Sequence, residues 1–221
     1  LAIKFSGTAL NESNTTNGYT TWGANDAGSV FVIEEANVAQ MAADYKTAAI
    51  AALEGQLKFL DIATVKAAIE ELPANIDAFA AIDAKMNKLA EHVAFRNGET
   101  NESSVRYNNY LAVDMTNSKG NGVASFDKAY AVWALKYAGG SSFYVYNVNQ
   151  KVYLGNPGSS GQLTSAPGAA YTLNVVEGNK VELKFGDQVL HMNNHNANGT
   201  VSTGNALTNW SNDVASHWYV E

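Results

Sequence analysis

Leu183-Lys184-Phe185-Gly186-Asp187-Gln188-Val189-Leu190 and, beyond a polar loop, Asn212-Asp213-Val214-Ala215-Ser216-His217-Trp218-Tyr219-Val220-Glu221 close the chain. The same two blocks stand at its start, as Ile3-Lys4-Phe5-Ser6-Gly7-Thr8-Ala9-Leu10 and Asn25-Asp26-Ala27-Gly28-Ser29-Val30-Phe31-Val32-Ile33-Glu34. The order is shared: an Ile/Leu-Lys-Phe strand, a turn, an aliphatic, a polar loop, an Asn-Asp turn, then an aromatic between hydrophobics. Repetition at long range implies a fold assembled from similar units.

Working back from the C-terminus, the last 130 or so residues parse into three such lobes. The first runs through Tyr110-Leu111-Ala112-Val113, a Gly/Asn turn at Lys119-Gly120-Asn121-Gly122, then Asp127-Lys128-Ala129 and a strand around Val132-Trp133-Ala134-Leu135. The second has Val152-Tyr153-Leu154-Gly155, a Gly/Ser/Pro loop and Ala170-Tyr171-Thr172-Leu173. The third has Val189-Leu190-His191-Met192, an Asn-rich loop, Asp213 and His217-Trp218-Tyr219-Val220. Alternating strands link them, at Phe143-Tyr144-Val145-Tyr146 and Val181-Glu182-Leu183-Lys184-Phe185. About four short strands per lobe, with a turn signal every ten residues or so, need closure to hide their edges. Three equal lobes closing on a pseudo-threefold axis make a β-trefoil. An immunoglobulin-like sandwich would leave the triple recurrence without a reason.

Between the repeats, residues from about 37 to 91 are rich in Ala, Leu, Lys and Glu. Asn37 with Gln40 has capping-box spacing, and Val38, Met41, Ala42, Tyr45, Ala49, Ala52 and Leu53 follow a helical period. Pro73 ends a second helix carrying Val65, Ile69 and Leu72. Asn75 is placed to cap a third, with Ile76, Phe79, Ile82, Met86 and Leu89 on one side. The stripe reads as the bundle's own core and a seam to the strands, or as a partner-binding face. The expected organisation is mainly β with an α-helical segment: residues 1–36 as a β lobe, 37–91 as a short helical bundle or linker, and 92–221 as a C-terminal β-trefoil.

The recurring Tyr-Leu, polar loop, Asp-x-Ala, aromatic-x-aliphatic pattern resembles the ricin-B-like β-trefoil lectin modules, in the divergent, Cys-free form appended to large secreted bacterial proteins. Lobe closers in that superfamily commonly carry Gln-x-Trp. Here those places read Ala131-Val132-Trp133, Tyr171 in the middle lobe, and Ser216-His217-Trp218. The Trp is kept in two lobes and the Gln in none. The resemblance covers residues from about 92 to 221, and residues 1–36 resemble the closing lobe of a preceding module. It implies a non-catalytic carbohydrate-binding accessory module, secreted or at the bacterial cell surface, with a glycan or polysaccharide as partner and other domains of a longer parent chain around it. A spacer or protein-interaction module without sugar binding is the alternative.

The chemistry-bearing residues gather in the third lobe. Asn, His and Asp side chains give directional hydrogen bonds to hydroxyls, and an aromatic face stacks on the C–H side of a sugar ring. Trp210, Asp213, Asn194 and His191 are the candidates for such a site. The structural alternative has Trp210 covering the barrel and Asp213 capping a turn, as Asp26 and Asp127 would in their lobes; Trp22 sits in a place like that of Trp210. His191 and His195 have the spacing of a helical metal pair, but their surroundings are a turn without a completing ligand, so no metal and no cofactor are expected. Glu34-Glu35 and Glu70-Glu71 are adjacent acids rather than a pair facing across a cleft. Gly158-Ser159-Ser160-Gly161 lacks the nucleophile-elbow pattern, and Gly155, Gly158 and Gly161 lead to Pro167 instead of a phosphate-binding helix. No catalysis is expected.

Composition narrows the partners. The 221 residues carry a formal net charge of -7, with Arg96 and Arg106 the only arginines. A phosphate backbone needs clustered basic residues, so nucleic acid and anionic membrane surfaces are poor partners. With no cysteine, disulfides and thiolate zinc sites are excluded. No apolar run spans a bilayer, so membrane insertion is not expected. Leu1 and the missing leader are expected to mark a processed product or a piece of a longer chain.

Overall fold

The computed structural model describes residues 4–5, 8–12, 19–22, 27–31, 36–159, 161–193, 205–210 and 213–221. The chain separates into two compact units, Leu1–Asn37 and Val38–Glu221. In the first, strands β1 (Lys4–Phe5), β2 (Thr8–Glu12) and β3 (Tyr19–Trp22) form an antiparallel sheet, followed by a 3-10 turn at Ala27–Ser29.

The second unit begins with three helices, α1 (Val38–Gln56), α2 (Ala63–Glu70) and α3 (Asp77–Leu89). The buried stripe of α1 runs Ala42, Ala49, Ala52, Leu53, meeting Ile69, Ile82 and Met86 of its neighbours. Met41, expected on that stripe, faces solvent, because the seam passes through Ala42 one helical step on. Ile76 is also exposed, at the end of α3 before the apolar face begins. Asn75 acts as expected at this end: its Oδ1 accepts the Asp77 N–H at 3.1 Å. Among the described residues no helix is long and apolar enough to cross a membrane.

Among the described residues twelve strands follow, four to a lobe. Lobe one holds β4 (Phe95–Asn97), β5 (Tyr110–Asp114), β6 (Lys119–Val123), the one-turn helix α4 (Lys128–Ala131) and β7 (Trp133–Gly139). Lobe two holds β8 (Ser142–Asn147), β9 (Val152–Leu154), β10 (Leu163–Thr164) and β11 (Ala170–Glu177). Lobe three holds β12 (Lys180–Phe185), β13 (Gln188–Met192), β14 (Asn205–Asn209), a 3-10 turn at Val214–Ser216 and β15 (His217–Val220). The first and last strands of each lobe join into a ring. β7 pairs β8, β8 pairs β11, β11 pairs β12, β12 pairs β15 and β15 pairs β4. The bridge Val93↔Trp133, with reciprocal 2.8 Å backbone bonds, closes it. The hairpins β5–β6, β9–β10 and β13–β14 cover one end, joined by β14–β6 pairing and the Lys119↔Gln162 bridge. A closed barrel of paired strands from three lobes, with three hairpins over its end, is a β-trefoil.

Each lobe closes with an aromatic residue in the core: Trp133, Tyr171 and Trp218 are fully buried in one hydrophobic cluster. Their polar atoms are matched alike. Trp133 Nε1 donates to the Leu111 carbonyl at 2.9 Å, and Trp218 Nε1 to the Leu190 carbonyl at 3.0 Å. The longer Tyr171 reaches one residue further, its hydroxyl donating to the Gly155 carbonyl. A buried indole or phenol is tolerated because its N–H or O–H finds such a partner.

The helices and barrel share this core. Tyr45 of α1 contacts the Tyr137 ring at 5.8 Å and donates to Asp83 at 2.6 Å. Asn87 accepts the Tyr137 N–H at 2.6 Å, and Gln56 accepts the Leu173 N–H at 2.8 Å. These amide side chains satisfy strand N–H groups that the barrel does not pair.

Candidate functional site

The pseudo-symmetry allows residues of different lobes to be matched one for one. In lobe one Leu111 pairs Gly122, Ala112 pairs Asn121 and Tyr110 pairs Val123. In lobe three Leu190 pairs Asn209 and His191 pairs Thr208, while the Trp210 N–H bonds the Val189 carbonyl at 3.1 Å. Leu111 and Leu190 both receive the closing Trp. Ala112 therefore corresponds to His191, and Val123 to Trp210. Two residues before each closing Trp, Ala131 corresponds to Ser216.

In lobe one the trio Ala112, Val123 and Ala131 is an apolar plug, exposed by 0, 1 and 0%. Tyr110 and Tyr130 pack against it. In lobe two the matching trio is Gly155, Thr164 and Ala169, and a Cβ on Gly155 would run into the Gln162 carbonyl. Only lobe three carries a polar trio there.

That trio is hydrogen-bonded in series. Ser216 Oγ donates to the Trp210 carbonyl at 3.1 Å, so its lone pair is what meets His191 Nδ1 at 2.9 Å. Nδ1 then carries the proton, and Nε2 is left as an acceptor without a partner among the described residues. His191 itself is buried, at 6% exposure. Burial holds its pKa below the ordinary histidine value; Asp213 opposes this and Arg106 reinforces it. Over the imidazole stands Trp210, with ring centroids 6.4 Å apart and 62% of the residue exposed. Beside them Asp213 Oδ1 accepts the Ala215 N–H at 2.8 Å and starts the 3-10 turn that positions Ser216. Asp127 does the same for Ala129 in lobe one.

A loop from lobe one reaches across to this place. Twelve residues separate β4 from β5, against four between β8 and β9 and two between β12 and β13. Asn97 fixes its root by donating to the Ala215 carbonyl at 3.0 Å. Gly98 follows because a Cβ would stand 2.9 Å from both His217 Cβ and the Val214 carbonyl. Further on, Arg106 places Nη2 2.7 Å from Glu99 and Nη1 3.8 Å from Asp213. Glu99 is buried, which works against its ionisation, yet the Asn101 N–H and Arg106 hold its carboxyl below the usual range. With two carboxylates against one guanidinium, the cluster offers no surplus positive charge to an anion.

Of the residues chosen from sequence, His191 and Trp210 are brought together and Asp213 adjoins them. The position of Asn194 lies outside the described residues, as do His195 and Asp26. His191 lies within β13 rather than in a turn, because it continues the pairing with β14. Asp213 plays the capping part foreseen as its structural alternative. Ser216, Arg106 and Glu99 escaped the sequence reading. The serine had a signal, since the repeat sets Ser216 and Ser29 alike in the Asn-Asp block where lobe one has Ala131. Arg106 and Glu99 had none, being far from the repeat. No group of three or more His, Asp or Glu that could hold a metal ion occurs among the described residues.

No family model matches the chain, and no curated protein matches it. Solved structures do. One is a designed 3-fold symmetric protein, ThreeFoil, at 11% identity and a TM-score of 0.45, covering 58% of this chain and 96% of its own. Another is the Macrolepiota procera ricin B-like lectin, in complex with lactose, at 11% identity and a TM-score of 0.44, covering 58% and 94%. A third is the GlcNAcα1-4Gal releasing endo-β-galactosidase from Clostridium perfringens, at 16% identity and a TM-score of 0.43, covering 58% of this chain and 32% of that one.

Proposed function

We propose that this protein is a non-catalytic, ricin-B-like carbohydrate-binding module, serving as an accessory part of a larger secreted or surface bacterial protein. One observation carries the reading. At a position where lobe one is sealed by Ala112, Val123 and Ala131, lobe three exposes a tryptophan over a hydrogen-bonded His–Ser pair. The indole face supplies stacking for a sugar ring, and His191 Nε2 and the second oxygen of Asp213 supply acceptors for hydroxyls. The charge of the cluster favours a neutral glycan over an acidic one. Glycan-array binding by the whole chain, weakened at least tenfold by Trp210→Ala, is the expected result. Silence across a broad array of neutral glycans, or binding untouched by Trp210→Ala, would refute it.

The protein-interaction reading has one observation of its own. A largely apolar pocket of about 370 Å³ is lined by His92, Val93, Ala94, Tyr110, Phe126, Val132 and Glu221. Phe126 is 48% exposed on its rim and meets Tyr110 edge-on at 5.3 Å. Retrieval of a defined protein partner, lost on Phe126→Ala and accompanied by no sugar binding, would favour that alternative.

A further inference from the structure

The connection between β4 and β5 is an Ω-loop that holds one ion pair against another lobe. Its ends meet where the Asn97 N–H bonds the Asn109 carbonyl at 2.7 Å. Inside, Asn101 Oδ1 accepts the Ser103 N–H at 3.0 Å, the Ser104 N–H bonds the Asn101 carbonyl at 2.9 Å, and Asn109 Nδ2 donates to the Val105 carbonyl at 2.9 Å. Compact loops with joined ends, packed by their own side chains, are frequently functional. Lobes two and three make the same connection with four and two residues, so a lobe of this barrel closes without such a loop.

Glu99 uses both of its oxygens within the loop. Oε1 accepts the Asn101 N–H at 3.0 Å, and Oε2 accepts from Arg106 Nη2 at 2.7 Å. The residue is 7% exposed and offers no face to a ligand. A buried ion pair is weak support for a fold, because desolvation of both charges opposes their attraction. Its reach is electrostatic. Arg96 is taken by Glu221, while Arg106 extends to lobe three, with Nη1 3.5 Å from the Met192 carbonyl and 3.8 Å from Asp213. Without Glu99, Arg106 and Asp213 would balance, and the edge beside His191 and Trp210 would be neutral. With Glu99 in place the same edge carries net negative charge, and like charge across a contact suppresses the wrong partner.

We propose that the loop 98–109 is the selectivity element of the lobe-three site, and that Glu99, acting through Arg106, is the positioning residue that closes the site to sugar acids. The proposal rests on reading the third lobe as a glycan site. It makes the site a joint product of two lobes: lobe three supplies the contacts, and lobe one decides which charge is admitted.

The test uses the whole chain labelled with nitrogen-15 and reads the Trp210 indole N–H signal, assigned through Trp210→Phe. Three matched pairs are titrated: galactose with galacturonic acid, glucose with glucuronic acid and mannose with mannuronic acid. The expected outcome is that a neutral sugar moves the signal, that its acid binds roughly tenfold more weakly, and that Glu99→Gln brings the two within about threefold. The glutamine keeps an oxygen for the Asn101 N–H and removes only the charge. In the wild type, raising salt from about 20 to about 500 mM should narrow the same ratio, since screening weakens the repulsion. A ratio unmoved in Glu99→Gln overturns the proposal; should that variant fail to fold, a ratio unmoved by salt does so. A wild type that binds an acid as well as its neutral partner overturns it too. All three results leave the third-lobe reading intact, because a neutral sugar still moves Trp210. Silence of Trp210 with all the sugars overturns the two together.

Discussion

Lobe one and lobe three of the barrel are built to one plan and finished differently. Both send a tryptophan into the shared core, both bond its indole to the leucine carbonyl of their second strand, and both cap the preceding turn with an aspartate. On the outer side of that frame lobe one has Ala112, Val123 and Ala131, and lobe three has His191, Trp210 and Ser216. The frame is what the fold needs, since it recurs. The polar trio is what the fold does without, since lobe one is sealed in its absence. Features that local folding rules do not require are where function is sought.

The frame predicts the largest effects. Trp133→Ala and Trp218→Ala each remove a fully buried indole and should each cost about 3–5 kcal/mol in urea unfolding. The penalties should be close to one another. A large loss for one and a small loss for the other would end the equivalence of the lobes. Next comes the polar pair. Ser216→Ala leaves the His191 Nδ1–H without its acceptor and should cost about 1–3 kcal/mol. The double variant His191→Ala/Ser216→Ala imitates Ala112 and Ala131, and should lose clearly less than the two single changes added together. Strict additivity would mean that the two residues are not coupled.

How far the sequence announced this follows from the same division. The frame was legible because it recurs: Leu111 and Leu190, Asp127 and Asp213, Trp133 and Trp218 sit at matching places in the chain and proved to have matching bonds. Tyr171 was placed in the same series although it is a different aromatic, because burial with one polar contact is all the position asks. The site was legible in part. His191 and Trp210 stood out as chemistry-bearing types in a polar setting, but their contact depends on strand register, which no local pattern prints. Ser216 had a signal in the repeat, its match with Ser29, but a serine two residues before the closing Trp does not stand out as chemistry-bearing. Arg106 and Glu99 arrive on a loop from another lobe, and their meeting with Asp213 spans more than a hundred residues of chain. Met41 shows the opposite error, a residue with the right period and type that ends up in solvent.

A smaller effect separates the lobes by pH. His191 has a folded-state pKa below its ordinary value of about 6.5. The unfolded chain thus binds a proton at a higher pH than the folded one. Its contribution is fully present above that ordinary value and is lost as pH falls through to the folded value. Asp213 and Arg106 are the charged groups that act on the ring, in opposite senses. His191→Asn installs the residue that already bonds a serine in the N-terminal unit, at Asn11. The variant should fold, and its stability should fall less than that of the wild type between neutral pH and pH 5. Parallel pH profiles for the two proteins would show that His191 is not the group responsible.

The smallest change in stability should come from Trp210→Val, which writes Val123 into lobe three. Trp210 is 62% exposed, so little of its apolar surface is withdrawn from water in the folded chain, and substitutions at such places usually stay within about 0.5 kcal/mol. The Trp210 carbonyl that receives Ser216 belongs to the backbone and survives the change. Every contact of the frame is therefore left in place, and what goes is a broad apolar face turned toward solvent beside His191. Glycan binding at lobe three should disappear while the urea midpoint hardly moves. A midpoint shift as large as that of Ser216→Ala would instead make Trp210 part of the frame, a lid over the barrel end, and the difference between the lobes would then be one of packing alone.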